Sequence, residues 1–168
     1  DVYKRQVVDE KFAFPDNWVY IHEPHVKVGR VQNYGSWSPY LVKDGKTCLG
    51  LEYFVTKNDE LWDSTDEELI NLAISELEEL KLIEKNSTNE GYVVRMPKAY
   101  PVYDLNYKEN IEKIKNWLLK YHPNLYPMGR NGMHRYNNQD HSLMTAVKSV
   151  RNFVLEETNN IWGITVDD

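Results

Sequence analysis

Midway along the chain the hydrophobic period changes, and that change constrains the fold more than any other feature. From Ser64 to Ile83, Leu69, Ile70, Ala73, Ile74, Leu77 and Leu80 recur at three- and four-residue spacing, the mark of one helix face. Asp66, Glu67 and Glu68 crowd the start, where a helix dipole favours negative charge, and Ser64 is placed to accept from the backbone of Glu67 in a capping box. Upstream the pattern is β-like. Asn17–His22, Val26–Tyr34 and Thr47–Val55 are dominated by β-branched and aromatic residues, with Pro24 and Gly35 as punctuation. Downstream, a polar loop over Asn86–Gly91 leads to a strand at Tyr92–Met96 that Pro97 ends.

Two further helices are predicted. One covers Tyr107–Tyr121, with Ile111, Ile114, Trp117, Leu118 and Tyr121 on one face. The other runs from near Gln139 to about Glu157, with Leu143, Met144, Val147, Val150 and Val154 on its buried side. This succession predicts an α+β fold, in which an antiparallel sheet is covered by the Ser64 helix and followed by a return segment with the last helix.

At 168 residues and 41% hydrophobic content the chain is long enough to bury a core, so intrinsic disorder is excluded. Twenty basic against 26 acidic residues give a net charge of −6, and no Lys/Arg cluster offers the positive surface that nucleic acid or an anionic membrane requires. No apolar run approaches the ~18 residues of a membrane span, and no basic-then-apolar leader opens the chain, so the expected location is cytoplasmic. The single cysteine, Cys48, cannot form an internal disulfide and reads as a small buried hydrophobe in a strand. His22 and His25 lie around Pro24, which bars a regular helix, and spacing supplies no third ligand, so no metal site is expected. The opening Asp1–Gln6 (DVYKRQ) looks like a translated adapter sequence without amphipathic pattern, and is expected to lie outside the fold.

The chemistry concentrates in Gly129–Ser142, GRNGMHRYNNQDHS, which runs straight into the last helix. Glycine lets backbone approach a ligand closely, Arg130 can grip phosphate oxygens in a bidentate contact, and the unpaired amides of a helix start favour an anion. Asn138 as a helix cap and Asp140 as a dipole complement account for the same residues without a ligand.

This segment resembles the C-terminal flavin-contacting motif of UDP-galactopyranose mutases, which also carries Gly-Arg, an aromatic turn and Asn-Gln-Asp-His-Ser. Asn17–Tyr40 (NWVYIHEPHVKVGRVQNYGSWSPY) is similar to the mutase stretch of a Trp-x-Tyr strand, an arginine and an Asn-Tyr-Ser-Pro turn, and Met96–Asp104 (MPKAYPVYD) to its Tyr-Pro segment. The likeness extends to FAD-dependent oxidoreductases of the amine-oxidase and protoporphyrinogen-oxidase superfamily. It implies that FAD is the cofactor, bound by Gly129, Arg130, Gly132, Asn138, Gln139, Asp140, His141 and Ser142, with Arg130 on the pyrophosphate. It also implies that Tyr20, Arg30, Tyr100 and Tyr136 face the substrate, with Asn138 toward that side and Arg30 as the clamp on a substrate diphosphate. No side chain is assigned as catalytic, because the flavin carries the chemistry.

The chain departs from the motif in having about two fewer residues between Tyr136 and Asn138, and in Asn131, Met133 and His134. None of its eight glycines falls in a G-x-G-x-x-G after a strand, so the adenine and most of the pyrophosphate have no site. The resemblance therefore implies a substrate-binding domain over 7–122 and the C-terminal part of a Rossmann-type FAD domain over 123–168, with the dinucleotide-binding half missing upstream of Val7 and a truncated end at 166–168. That missing half and a small molecule, a UDP-sugar among the candidates, are the expected partners, and the fragment alone is expected to be inactive. The function implied first is a FAD-dependent oxidoreductase serving cell-surface sugar metabolism, and second a UDP-galactopyranose mutase. A non-catalytic module that recognises a sugar or protein through Trp18, Trp37 and Trp62 is the contrasting class.

Overall fold

The structure is a computed structural model that describes residues 1–56 and 58–166. Asp167 and Asp168, where a truncated end is predicted, lie outside the described residues. The chain divides into two compact units, Asp1–Ala99 and Tyr100–Asp168. The last sheet strand ends at Arg95, and Met96 extends its pairing by one step through backbone bonds with Asp1.

The first unit is built on five antiparallel strands in the order β2-β3-β4-β1-β5. In chain order these are β1 (Val2–Asp9), β2 (Trp18–Tyr20), β3 (Arg30–Asn33), β4 (Lys46–Tyr53) and β5 (Thr88–Arg95). A short helix, α1 (Tyr34–Trp37), follows β3, and α2 (Glu60–Asp63) precedes the long α3 (Asp66–Glu79). The core lies between one sheet face and α3: Val2, Val8, Val31, Leu49, Leu51 and Tyr53 pack with Leu69, Ala73 and Leu77. Each predicted strand is present, but β5 begins at Thr88, inside the stretch predicted as a loop.

The opening residues correct the sequence expectation most. Asp1–Gln6 does not hang outside the fold, since Val2–Asp9 forms β1, paired along its length with β4 and β5. Its pattern is hidden because Lys4 and Gln6 occupy inward positions and are fully buried. The Lys4 Nζ has no hydrogen-bond partner and rests 3.3 Å from the centroid of the Tyr53 ring. Gly91 on β5 accommodates Gln6, since a Cβ there would lie 2.7 Å from the Gln6 Oε1.

The capping box of α3 sits one residue later than predicted. Thr65, not Ser64, is the cap: its hydroxyl accepts from the Glu68 backbone and the Glu68 carboxylate accepts from the Thr65 backbone. Ser64 instead donates to the Glu60 carbonyl at 2.9 Å. Thr65→Ala is expected to lower the unfolding free energy of this unit by about 1 kcal/mol in urea titration, and Ser64→Ala by less. A larger loss from Ser64→Ala would return the cap to Ser64.

The second unit holds α4 (Tyr107–Tyr121), with the limits predicted, then α5 (Gly129–Gly132) and α6 (Gln139–Leu155). α6 starts where predicted and buries the opposite face. Thr145 and Ser149 are its buried residues, while Leu143, Met144, Val147, Val150 and Val154 are all exposed. Its small hydroxyl side packs on the α5 turn, and hydrophobicity alone does not say which side of a helix meets a neighbour. On α4, Ile114, Trp117 and Tyr121 are likewise exposed, so the face read as apolar buries no residue fully. No helix among the described residues is long and apolar enough to cross a membrane.

Candidate functional site

In the second unit the glycine-rich turn is held by backbone and one hydroxyl. Gly129 has φ +74°, a left-handed conformation that favours glycine, and its amide donates to the Thr145 Oγ1 at 2.9 Å. Thr145 in turn donates to the Ser142 carbonyl at 2.7 Å, tying the turn to the first turn of α6. The Arg135 amide closes back on the Arg130 carbonyl at 3.0 Å, and Met133 is buried beneath. His134, at φ +49°, places its Nε2 3.2 Å from the Val102 carbonyl and its ring edge-on to Tyr103.

This framework brings Tyr100, Arg130 and Tyr136 together. The two tyrosine rings are nearly parallel, at 11°, with centroids 6.2 Å apart. The Arg130 guanidinium carbon lies 4.7 Å from one centroid and 4.4 Å from the other. Those distances set the cation beside the pair, bordering both rings, instead of between them. Its Nε and Nη2 are shielded from solvent and have no hydrogen-bond partner. A guanidinium carries five donors, and buried donors are nearly always paired, so unmet ones mark a place where an acceptor fits.

Around it, a side chain at Gly132 would have room, since a Cβ there would meet only the Pro127 backbone at 4.0 Å. Asn138 is the residue before α6, and its side chain makes no capping bond. Gln139, Asp140, His141 and Ser142 form the first turn. Asp140 is exposed, and its carboxyl is held below the usual range first by the His141 backbone amide; the His141 Nδ1 lies 2.9 Å away. The Ser142 amide makes an ordinary helical bond to the Asn138 carbonyl.

In the first unit, Tyr20 and Arg30 also meet. They face each other across β2 and β3, and the Arg30 Nη1 donates to the Tyr20 hydroxyl at 3.2 Å. The other side of the guanidinium is engaged: Nε and Nη2 donate to one oxygen of Glu52 at 3.0 and 2.5 Å. Glu52, opposite Arg30 on β4, is 1% exposed, and its second oxygen accepts from Gln32. Burial works to lower the Arg30 pKa, yet the bonds and charge of Glu52, then Tyr20, leave it raised above its ordinary value. Trp18 borders the same cation at 5.4 Å and contacts Trp37 at 5.1 Å between centroids. The expected diphosphate clamp thus already holds a carboxylate.

No family model matches this sequence, and no curated protein matches it. Solved structures do. A reduced UDP-galactopyranose mutase shares a TM-score of 0.78 at 22% identity, over 94% of this chain and 34% of that one. A protoporphyrinogen oxidase from Exiguobacterium shares 0.63 at 15% identity, over 93% of this chain and 34% of that one. The fold is similar to a third of these proteins. At such identities the likeness is one of fold, and it supports the α+β expectation for a single antiparallel sheet with flanking helices.

Three residues absent from the sequence expectations complete the two loci: Glu52 behind Arg30, Thr145 behind Gly129, and Asn137, a 2% exposed asparagine next to Tyr136. Glu52 lies in the strand Thr47–Val55, but only the register places it opposite Arg30. Cys48 lines a separate concavity of about 370 Å³ with Arg5, Leu41 and Tyr92, which includes none of the predicted site residues. Burial pushes its thiol pKa up against the pull of Arg5, which disfavours the thiolate a nucleophile needs.

Proposed function

We propose that this chain is the C-terminal part of a FAD-dependent oxidoreductase, whose helical unit contributes to holding the cofactor and whose sheet unit serves the substrate. The supporting observation is the Arg130 guanidinium, fixed against Tyr100 and Tyr136 with two buried donors unmet. Those donors fit a pyrophosphate oxygen, and the shielded aromatic surroundings strengthen such a contact relative to water. Gly129 and Gly132 keep the two ends of the turn free of side chains, and the helix-start amides ahead of Ser142 favour negative charge. When bound, the flavin supplies the electron-transfer chemistry that no side chain here provides. In the sheet unit, Arg30 positions the Tyr20 hydroxyl with its Nη1 while Glu52 holds its other side. Within the sheet unit Tyr20 then offers the substrate a hydroxyl and a ring face, and within the helical unit Tyr100 and Tyr136 offer theirs beside Arg130. The remaining part of the same protein is its partner, since this chain spans about a third of the structures it resembles.

Arg130→Ala is expected to weaken FAD binding at least ~10-fold, read as quenching of flavin fluorescence on titration with protein. Equal affinity in the variant would remove Arg130 from the site.

A second reading, a mutase acting on a nucleotide sugar, is favoured by the stronger of the two fold similarities. Reduction with dithionite followed by chromatographic assay of UDP-galactofuranose conversion separates the two in the whole protein. Conversion that requires reduction identifies the mutase, and bound FAD without conversion leaves the oxidoreductase.

A further inference from the structure

Asn137 is 2% exposed, and both ends of its carboxamide, Oδ1 and Nδ2, are shielded from solvent and without a hydrogen-bond partner. Its backbone is fixed, with the amide donating to the Arg135 carbonyl at 2.9 Å. In sequence it lies between Tyr136, whose ring borders Arg130, and Asn138, which precedes α6, and the bond from the Arg135 amide to the Arg130 carbonyl folds this stretch back toward Arg130. It does not cap α6, since its side chain makes no bond at all. A carboxamide carries one acceptor oxygen and two donor hydrogens, and leaving all of them unmet in an interior is less stable than an apolar side chain of similar size. The group works against the stability of the ligand-free chain, and lies two residues before the start of α6 on the segment that follows the unmet donors of Arg130.

We propose that Asn137 is a ligand-reading residue of the Arg130 site, its carboxamide pairing with an amide or imide edge of the bound molecule while Arg130 takes the anionic part. A donor and an acceptor side by side match a carboxamide through two hydrogen bonds, the geometry by which asparagine reads an adenine edge. The flavin pyrimidine ring and the uracil ring of a uridine nucleotide both present such an edge. Because the atoms are shielded, the ligand reaches them only when neighbouring side chains move aside, so the free site is a closed one. This proposal deepens the FAD reading where the flavin is the ligand, and stands apart from it where the uridine nucleotide is.

The test is Asn137→Leu in the full chain, read two ways. The thermal midpoint of the ligand-free variant is expected to equal or exceed that of the parent, because the unmet amide is gone; an asparagine with a merely structural role would lower it. Titrations with FAD, followed by flavin fluorescence, and with UDP, followed by tryptophan fluorescence, are expected to show roughly 10- to 100-fold weaker binding of one of them. The ligand affected identifies the source of the edge. A lowered midpoint, or affinities equal to the parent's, overturns the role of Asn137 and leaves the FAD reading in place. A parent chain that binds UDP alone overturns the FAD reading and keeps Asn137, and one that binds neither overturns both.

Discussion

Glu52→Ala is expected to cost the sheet unit about 3–5 kcal/mol, enough to unfold much of it, because it strands a guanidinium among buried groups. The Arg30 side chain is 17% exposed and that of Glu52 is 1% exposed. Their attraction is offset by desolvation while both are present, and becomes an uncompensated charge when one is removed. Arg30→Ala leaves a buried carboxylate holding only Gln32, and is expected to cost a similar amount. The apolar double variant Arg30→Met with Glu52→Leu should recover most of the loss, since a well-packed apolar pair of similar volume replaces such a bridge at little penalty. Urea unfolding of the four chains checks this. A loss below about 1 kcal/mol from Glu52→Ala would make the pair a surface bridge in energetic terms, whatever its burial.

The second large effect concerns Lys4. Burial pulls its pKa from 10.5 down to about 8; Glu76 on α3 works to raise it, and Lys27 and Arg95 lower it further. The sign follows from proton counting. Below about pH 8 both folded and unfolded chains carry the proton, and the folded chain bears the full penalty of a buried ammonium. Between pH 8 and 10.5 the unfolded chain binds the proton and the folded chain does not, so stability rises with pH across that window. That lowering to about 8 corresponds to about 3 kcal/mol. Lys4→Met is therefore expected to stabilise the chain by about 3 kcal/mol at pH 7 and by progressively less toward pH 10. Cys48 and Tyr53, both raised by burial, run the other way: their stabilisation is present below the unfolded pKa and is lost above it. The difference between variant and parent isolates Lys4 from these opposing groups. A parent and variant whose stabilities differ equally at pH 7 and pH 10 would show that Lys4 is not the group that titrates.

The elements most readable in the sequence were those whose signal is local. α4 has its predicted limits because its apolar period and flanking breaks are contained within the segment. α3 was readable as a helix while its cap slipped by one residue, since Ser64 and Thr65 are both competent caps and the reach of Glu68 chooses between them. What failed depends on neighbours distant in sequence. β1 was missed because Lys4 and Gln6 hide its alternation, and only pairing with residues beyond position 45 makes it a strand. The apolar stripe of α6 was visible, but which side Thr145 and the turn would cover was not. The same divide runs through the site. The Gly129–Ser142 turn announces itself by composition and likeness, and the structure adds that Tyr100 and Tyr136 meet at Arg130. Glu52 is legible only through strand register, and Asn137 only through the hydrogen bonds it fails to make.

The place of β1 between β4 and β5 also dictates an order of events as the chain is made. Its first partner strand emerges about 40 residues after it and its second about 80 residues after it, so the first of these five strands to be made is the last that can be completed on both edges. Until Arg95 has left the ribosome, Val2 and Val8 belong to a strand with at least one unpaired edge, while β2, β3 and β4 can already pair among themselves. While the sheet is being made it is thus most exposed to misassociation through Val2–Asp9, the strand that waits longest for its second partner.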